Sequence, residues 1–470
     1  MTPVKSIHFI GIKGVGMTPL AIIAKEAGIT VTGSDVADEY ITDASLKKAN
    51  IVVMIGFSAD HINEVDLVIT TGAHGGFDNV EVKAAKEKRI PVITQGEAVG
   101  VFMQGEIFRR EQIGISIFGS HGKTTTTAMI ATILTKAGLD PSYVIGTSDV
   151  PSLGQSGHFG KGEYFIAEAD EYATEPTYDK KPKLLWQHPK IAVCTNIELD
   201  HPDIYTSVDD LRKVFTKFVT DLPEDGMFIC CGDDPQIQTM LRSYKGRKKT
   251  YGRGKENDYV IGNIAIAKDT MTFRVASREK EVGVFEIKAA GVHNALNGAA
   301  AIIVGLILGI EPETLEKSLT FFSGSKRRLE YVGSLSSGAL LYDDYAHHPT
   351  EISASIIALR RMYPETQIVC IFQPHTYSRT KVLYREFTKA FSHTELVILT
   401  DIYASAREKA DPNVSMSDLA SKINLNGQNA IYLPKPIDVI KYIKEKNYGK
   451  NTLIVTMGAG DVYKIKESLL

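Results

Sequence analysis

Ile113-Gly114-Ile115-Ser116-Ile117-Phe118-Gly119-Ser120-His121-Gly122-Lys123-Thr124-Thr125-Thr126-Thr127-Ala128-Met129-Ile130-Ala131 changes character twice over a short span. The first six residues form an apolar run that predicts a strand buried on both faces. Glycines and a histidine follow, and then Lys123 and Thr124 open a helix. This order suits a bound phosphate. Glycines let backbone amides approach it, the helix start supplies positive potential, Lys123 adds an exposed point charge, and Thr124 offers a hydroxyl to magnesium. The loop is shorter than the usual G-x-x-x-x-G-K-[ST], because Ile117 stands where that pattern has its first glycine. Strand, phosphate loop and helix together predict an α/β nucleotide-binding domain.

The same grammar recurs on both sides. Upstream, Ser6-Ile7-His8-Phe9-Ile10 runs into Gly11-Ile12-Lys13-Gly14-Val15-Gly16 and a helical run from Met17. A strand at 30–32 then ends at Gly33-Ser34-Asp35, and apolar runs at 52–55, 67–70 and 91–93 alternate with charged stretches such as 79–88. This predicts a Rossmann-like parallel sheet. A polar stretch at 105–112 separates it from the phosphate-loop strand, which puts a boundary near residue 108. Strands at 164–167 and 191–195 and β-like runs at 259–266 and 271–275 continue the central unit. The basic stretch from Arg242 to Lys255 reads as a solvated loop. After Ser323-Gly324-Ser325 the pattern restarts, with strands at 340–342, 367–372, 396–399 and 452–456. The reading is three α/β domains in series, at 1–108, 109–324 and 325–470, the last also Rossmann-like.

Composition agrees with this and excludes several classes. A chain of 470 residues exceeds what one core supports. A net charge of −3 gives no global field for nucleic acid or an anionic membrane. The most apolar stretch, 298–310, is too short to span a bilayer, and the first ten residues lack a signal-peptide pattern, so a cytoplasmic protein is expected. The four cysteines have no metal-ligand spacing and are expected to be reduced and buried.

Candidate site residues cluster where strands end. Glu168-Ala169-Asp170-Glu171 supplies hard oxygen ligands suited to magnesium, and Asn196-Ile197-Glu198-Leu199-Asp200-His201 adds a histidine for a second metal or a substrate. His293-Asn294-Ala295-Leu296-Asn297 opens an apolar helix with asparagines able to pair with an adenine edge, although Asn294 could equally cap the helix. Lys326-Arg327-Arg328 lies where its arginines can reach across a cleft to phosphates, and Asp343-Asp344-Tyr345-Ala346-His347-His348-Pro349-Thr350 follows a strand. The first glycine loop has the spacing G-x-x-G-x-G, which departs from the dinucleotide fingerprint but keeps a helix-start anion site, with Asp35 placed for a ribose hydroxyl. An NAD-dependent dehydrogenase would leave the Lys123 loop unused. A regulatory nucleotide module would use the loop without chemistry.

These residues, in this order, resemble the Mur ligase family, ATP-dependent enzymes that join amino acids to the UDP-muramic acid precursor of peptidoglycan. The resemblance rests on Gly119 to Thr125, Glu168 to Glu171, Asn196 with Asp200-His201, His293-Asn294 with Asn297, Arg327-Arg328, and Asp344 to Pro349, and it covers nearly the whole chain. Within the family, Gly11 to Met17, Gly33-Ser34-Asp35, Phe372-Gln373-Pro374-His375 and Thr456-Met457-Gly458-Ala459-Gly460-Asp461 look most like the members that add L-alanine to UDP-N-acetylmuramate. The resemblance implies a UDP-sugar-binding first domain around Gly11, Gly14, Gly16 and Asp35. It implies an ATP site of Gly119, Ser120, His121, Gly122, Lys123, Thr124, Thr125, His293, Asn294, Asn297, Arg328 and Asp344. Lys123, Glu168 and His201 would be catalytic, with Mg2+ on Thr124, Glu168 and His201, and Arg379 and His348 would hold the amino acid. ATP, UDP-N-acetylmuramate and L-alanine would be the substrates, the chain acting as monomer or homodimer in cell-wall synthesis. Two positions depart from the alanine-adding pattern: Tyr172-Ala173 stands in place of Ser-Asp, and Thr376 in place of an arginine. They leave the related murein-tripeptide recycling ligases, which take L-alanyl-γ-D-glutamyl-meso-diaminopimelate, as the alternative.

Overall fold

A computed structural model describes all residues except 1–3, 268–269, 279 and 405–407. Its strands form three large sheets, each covered by helices, and a small hairpin, Ala173–Glu175 with Asp179–Pro182.

The first sheet is all parallel, in the order Val53–Ile55, Thr30–Asp35, Ser6–Ile10, Leu67–Thr70, Val92–Thr94. The strand expected to stop at residue 32 runs on through Asp35. Gly33 lies inside it because a Cβ there would come within 2.4 Å of the Ile12 side chain. The glycine loop therefore rests directly on the neighbouring strand. The strand order reverses beside Ser6–Ile10, and the loop leaves its carboxyl end at that switch point.

The central sheet has ten strands. Its parallel part runs Tyr259–Ile266, Lys248–Gly252, Met227–Cys231, Ile191–Cys194, Ile113–Phe118, Tyr164–Glu168, Ser142–Val144. Met271–Ser277 and Glu281–Ile287 extend one edge antiparallel. The basic stretch read as a loop contributes the strand Lys248–Gly252. Its lysines stay at the surface end while Tyr251 is fully buried, which is how a charged stretch can still pair within a sheet. The helix Lys123–Lys136 packs beside the apolar helix Val292–Ile307, and both lie against this sheet. Leu134, Ile133, Met129 and Ile130 on one helix and Ile302, Ile303 and Ala299 on the other are all fully buried. At about 25 cal/mol per Å2 of apolar surface removed from water, this packing fixes the start of the phosphate-loop helix. Replacing Gly298 would disrupt it, since a Cβ there meets the Phe273 ring at 2.8 Å.

The third sheet is ordered Glu330–Ser334, Leu340–Asp344, Thr452–Met457, Gln367–Phe372, Leu396–Leu399, Ala430–Tyr432, parallel except for its first pair. All four cysteines are free and buried, and among the described residues no helix is long and apolar enough to cross a membrane.

Candidate active site

Adjacent parallel strands of the central sheet end at Phe118, Glu168 and Cys194, and the segments that follow converge. The phosphate loop is stitched to the segment after Cys194. Ser120 N donates to Asn196 O (3.1 Å), Ser120 Oγ to Glu198 O (2.7 Å), and Glu198 N to Ser120 Oγ (2.9 Å). The His121 amide donates to Asn196 Oδ1 (2.9 Å), while Asn196 Nδ2 and Thr195 Oγ1 donate to the His121 carbonyl at 3.0 and 2.6 Å. Asn196 thus shapes the loop. Gly119 (φ +128°) and Gly122 (φ +82°) adopt left-handed backbone, and a Cβ at either would strike Thr195 or Asn297.

Lys123 does not project into solvent as an exposed lysine. Its ammonium donates to both oxygens of Glu171 (2.9 and 3.0 Å) and to the carbonyls of Gly119 and Ser120 (2.5 and 3.2 Å). Glu171 is completely buried, and its charge outweighs the cost of burial to keep Lys123 protonated. The acidic stretch after Tyr164–Glu168 therefore divides its labour, with Glu171 on Lys123 and Glu168 on Thr124. Thr124 Oγ1 donates to Glu168 Oε2 at 3.0 Å and Gly146 N to Glu168 Oε1 at 2.6 Å. Burial holds the Glu168 carboxyl above its ordinary range.

The metal set expected from the sequence, Thr124, Glu168 and His201, separates into two groups. Thr124 and Glu168 touch directly, whereas the ligand atoms of His201 gather with those of Glu171 and Asp200. His201 Nε2 lies 4.0 Å from Glu171 and 3.8 Å from Asp200. Either group offers hard oxygens to a divalent cation. Glu171 was named from sequence only within the acidic cluster, and its pairing with Lys123 was not foreseen. Its signal is its position, three residues past the carboxyl end of a central strand.

Of the paired arginines, only Arg328 crosses the cleft, where Nη2 donates to Thr124 Oγ1 at 3.1 Å. Arg327 turns inward to Gly458 O (2.6 Å) and Asp343 (3.3 Å) and is 4% exposed, so it holds the third sheet together. Beside the loop, a cavity of about 210 Å3 is lined by His121, Gly122 and Thr125 from the central unit, His293, Asn294 and Asn297 from the apolar helix, and Arg328 and Asp344 from the third. Eight of the twelve residues expected to bind ATP thus line one space, and Gly119, Ser120, Lys123 and Thr124 are not part of its lining. Asn294 is inside its helix and donates to Ala290 O, with Gly291 preceding the helix, so it is not the cap. Burial pushes Asp344 up to about 6, against a Ser355 hydroxyl bond and the Arg328 charge, and pushes His293 down to about 4.

In the first unit, Asp35 is turned towards its own loop. It is 1% exposed, and its carboxylate accepts from Lys13 N (2.8 Å) and Val36 N (2.8 Å) and faces His74 at 3.4 Å. These contacts brace the glycine loop. Gly11 (φ +76°) and Gly14 form the turn, with Gly14 N donating to Gly11 O (3.1 Å), and Gly16 faces Gln95 from the helix Gln95–Met103.

The last group spans the central and third units. Arg379 donates through Nε and Nη2 to Asp200 Oδ1, at 2.8 and 2.6 Å, and its Nη1 lies 3.2 Å from His375 Nδ1. The guanidinium expected to meet an amino-acid carboxylate is paired inside the protein. Tyr172 stacks edge-on against His201 at 4.8 Å and donates to Asp203 (2.7 Å). His348, expected here, caps the helix Pro349–Met362 and packs 4.5 Å from the His121 ring. Its neighbour His347 is the histidine on the Arg379 side, 6.1 Å from His375.

Residues 6–106, 117–305 and 327–460 match the family patterns described as "Mur ligase family, catalytic domain", "Mur ligase middle domain" and "Mur ligase, glutamate ligase domain". The chain is 37% identical over 465 residues, 99% of each sequence, to the UDP-N-acetylmuramate–L-alanine ligase of Desulfitobacterium hafniense. It superposes on the crystal structure of the UDP-N-acetylmuramate-alanine ligase of Thermotoga maritima with TM-score 0.80 at 25% identity, covering 99% and 98% of the two chains. A murein peptide ligase from Psychrobacter arcticus shares the fold at TM-score 0.71 and 23% identity, covering 99% of this chain and 98% of that one. With matches along three successive units and a relative of this identity over its whole length, the chain belongs to the Mur ligase family.

Proposed function

We propose that this chain is an ATP-dependent ligase that joins L-alanine to UDP-N-acetylmuramate through an acyl phosphate. The observation that carries the reading is the 37% identity over the full length to a ligase of that name, at a site where His121 and Thr124 of the phosphate loop meet Glu351 and Arg328 of the third unit. The domains are taken as 1–108 for the sugar nucleotide, 109–324 for ATP, and 325–470 for closing the site.

A carboxylate is a poor electrophile because its leaving group would be oxide. Transfer of the γ-phosphoryl group to the lactyl carboxylate provides a better one, and the amine then displaces phosphate. Lys123 opens the helix that follows the loop. On ATP binding its ammonium leaves Glu171 and the loop carbonyls for phosphate oxygens, while Arg328 approaches from the other side beside Thr124. Asn294 and Asn297 line the cavity where the nucleoside would sit. Glu168 and Thr124 fit a magnesium ion, since a buried carboxylate held above its usual range beside a hydroxyl lacks a full countercharge. His201, with Glu171 and Asp200, fits a second. Magnesium bound there supplies charge neutralisation on the phosphates. We place the reaction in the cytoplasm, where ATP is.

A second reading, tripeptide addition, is favoured by Tyr172 and by Thr376 in place of an arginine. Offered L-alanine and L-alanyl-γ-D-glutamyl-meso-diaminopimelate at equal concentration with ATP and UDP-N-acetylmuramate, the enzyme is expected to make mainly the alanine product. Mainly tripeptide product would replace the first reading by the second.

A further inference from the structure

His121 has both ring nitrogens committed. Nε2 lies 3.0 Å from Glu198 Oε2 and Nδ1 lies 3.1 Å from Glu351 Oε1. An imidazole facing a carboxylate at each nitrogen donates to both only as a cation. The two carboxylates come from different units. Glu198 belongs to the segment stitched to the phosphate loop, so it accompanies His121 wherever the third unit stands. Glu351 comes from the first turn of the helix Pro349–Met362, and its other oxygen accepts from the amides of His347 (3.1 Å) and His348 (3.4 Å). That oxygen pattern fixes the carboxylate to the helix start, and the helix start to the third unit. The bridge is shielded, with 12% of the His121 side chain and 15% of that of Glu351 exposed. His348, whose Nδ1 is 3.6 Å from Glu198, covers the ring from the same helix. The His121 amide and carbonyl are held by Asn196 and Thr195, which fixes the backbone that carries the ring.

We infer that Glu351 is a positioning residue for the ligase reaction, one that reports docking of the third unit to the phosphate loop by completing a Glu351–His121–Glu198 bridge. The inference rests on the ligase reading. Without Glu351, Glu198 alone satisfies one ring nitrogen, and the loop keeps its fold but loses the cation held at a set orientation. Burial opposes charge on His121, and the Glu351 charge with the Glu198 bond outweighs it, raising the imidazole to about 10.

The test is Glu351→Gln in the full-length enzyme. Its amide oxygen can still accept from the His347 and His348 amides, so the helix start is preserved. The expected result is a kcat at least tenfold lower with the KM for ATP changed less than threefold. Nitrogen-15 histidine spectra at pH 8 should show His121 as imidazolium in the parent and neutral in the variant. A kcat within twofold of the parent, or a His121 signal that stays imidazolium, overturns the inference. Should that variant not fold, Glu351→Asp carries the same kinetic and spectroscopic comparison. In a double-mutant cycle, His121→Asn with Glu351→Gln should lose no more than His121→Asn alone, and additive losses contradict the bridge. If the parent releases no phosphate with all three substrates, the ligase reading fails, and the histidine spectra still decide whether the bridge exists.

Discussion

Arg379 of the third unit and Asp200 of the central one meet at 2.6 Å, with 3% and 4% of their surfaces exposed. Burial opposes both charges, and the arginine helps hold the Asp200 carboxyl well below the usual carboxylate range. The pair joins the unit that carries His375 to the unit that carries His201.

Removing one partner of a buried ion pair leaves the other uncompensated, at a cost of about 3–5 kcal/mol. Arg379→Ala is expected to lower the thermal midpoint by several degrees and to reduce turnover at least a hundredfold. Arg379→Met with Asp200→Asn should recover the midpoint and not the turnover. Recovery of both would reduce the pair to a structural contact.

Lys123→Ala should abolish turnover, and the Glu171 pairing adds a stability cost that an exposed lysine would not carry. The buried Glu171 carboxylate is then unpaired. Denaturant unfolding should show Lys123→Ala destabilised and Lys123→Ala with Glu171→Gln restored, both inactive. Equal stability of Lys123→Ala and the parent would show that the lysine does not rest on Glu171 in solution.

Glu168→Ala should raise the magnesium concentration needed for half-maximal rate at least tenfold and lower the rate at saturation, because the Thr124 hydroxyl loses its partner and the cation a hard ligand. A magnesium titration that superposes on the parent's would remove Glu168 from the ligand set.

The His121 bridge also predicts a pH dependence of stability. The folded imidazole is raised to about 10 from an ordinary 6.5, so the folded state binds the proton more tightly than the unfolded chain. Its stabilising contribution is complete below about pH 6.5 and is lost as pH rises through 10. The thermal midpoint of the parent minus that of His121→Asn should therefore be largest near pH 6 and shrink towards pH 10. A difference that grows with pH would contradict the bridge.

The fold was readable in the sequence because most of the parallel strands are short apolar runs, and the strands at 367–372 and 396–399 match the structure residue for residue. The strand Lys248–Gly252 escaped because its outward lysines mask its pairing. The residues that line the cavity were legible because they lie in short motifs. Pairings between distant segments were not. That Arg379 spends its guanidinium on Asp200, that Arg327 turns inward while Arg328 crosses, and that Asp35 braces its own loop depend on which partners the folded chain brings within reach. Glu351 carried only a helix-start spacing from His348, which says nothing of His121.

The most direct test of the account follows oxygen. With UDP-N-acetylmuramate labelled with oxygen-18 in the lactyl carboxylate, ATP and L-alanine, one labelled oxygen should appear in each released phosphate, at a rate equal to formation of the alanyl product and dependent on all three substrates. Unlabelled phosphate would mean that ATP does not activate that carboxylate, and would contradict the proposed ligase chemistry.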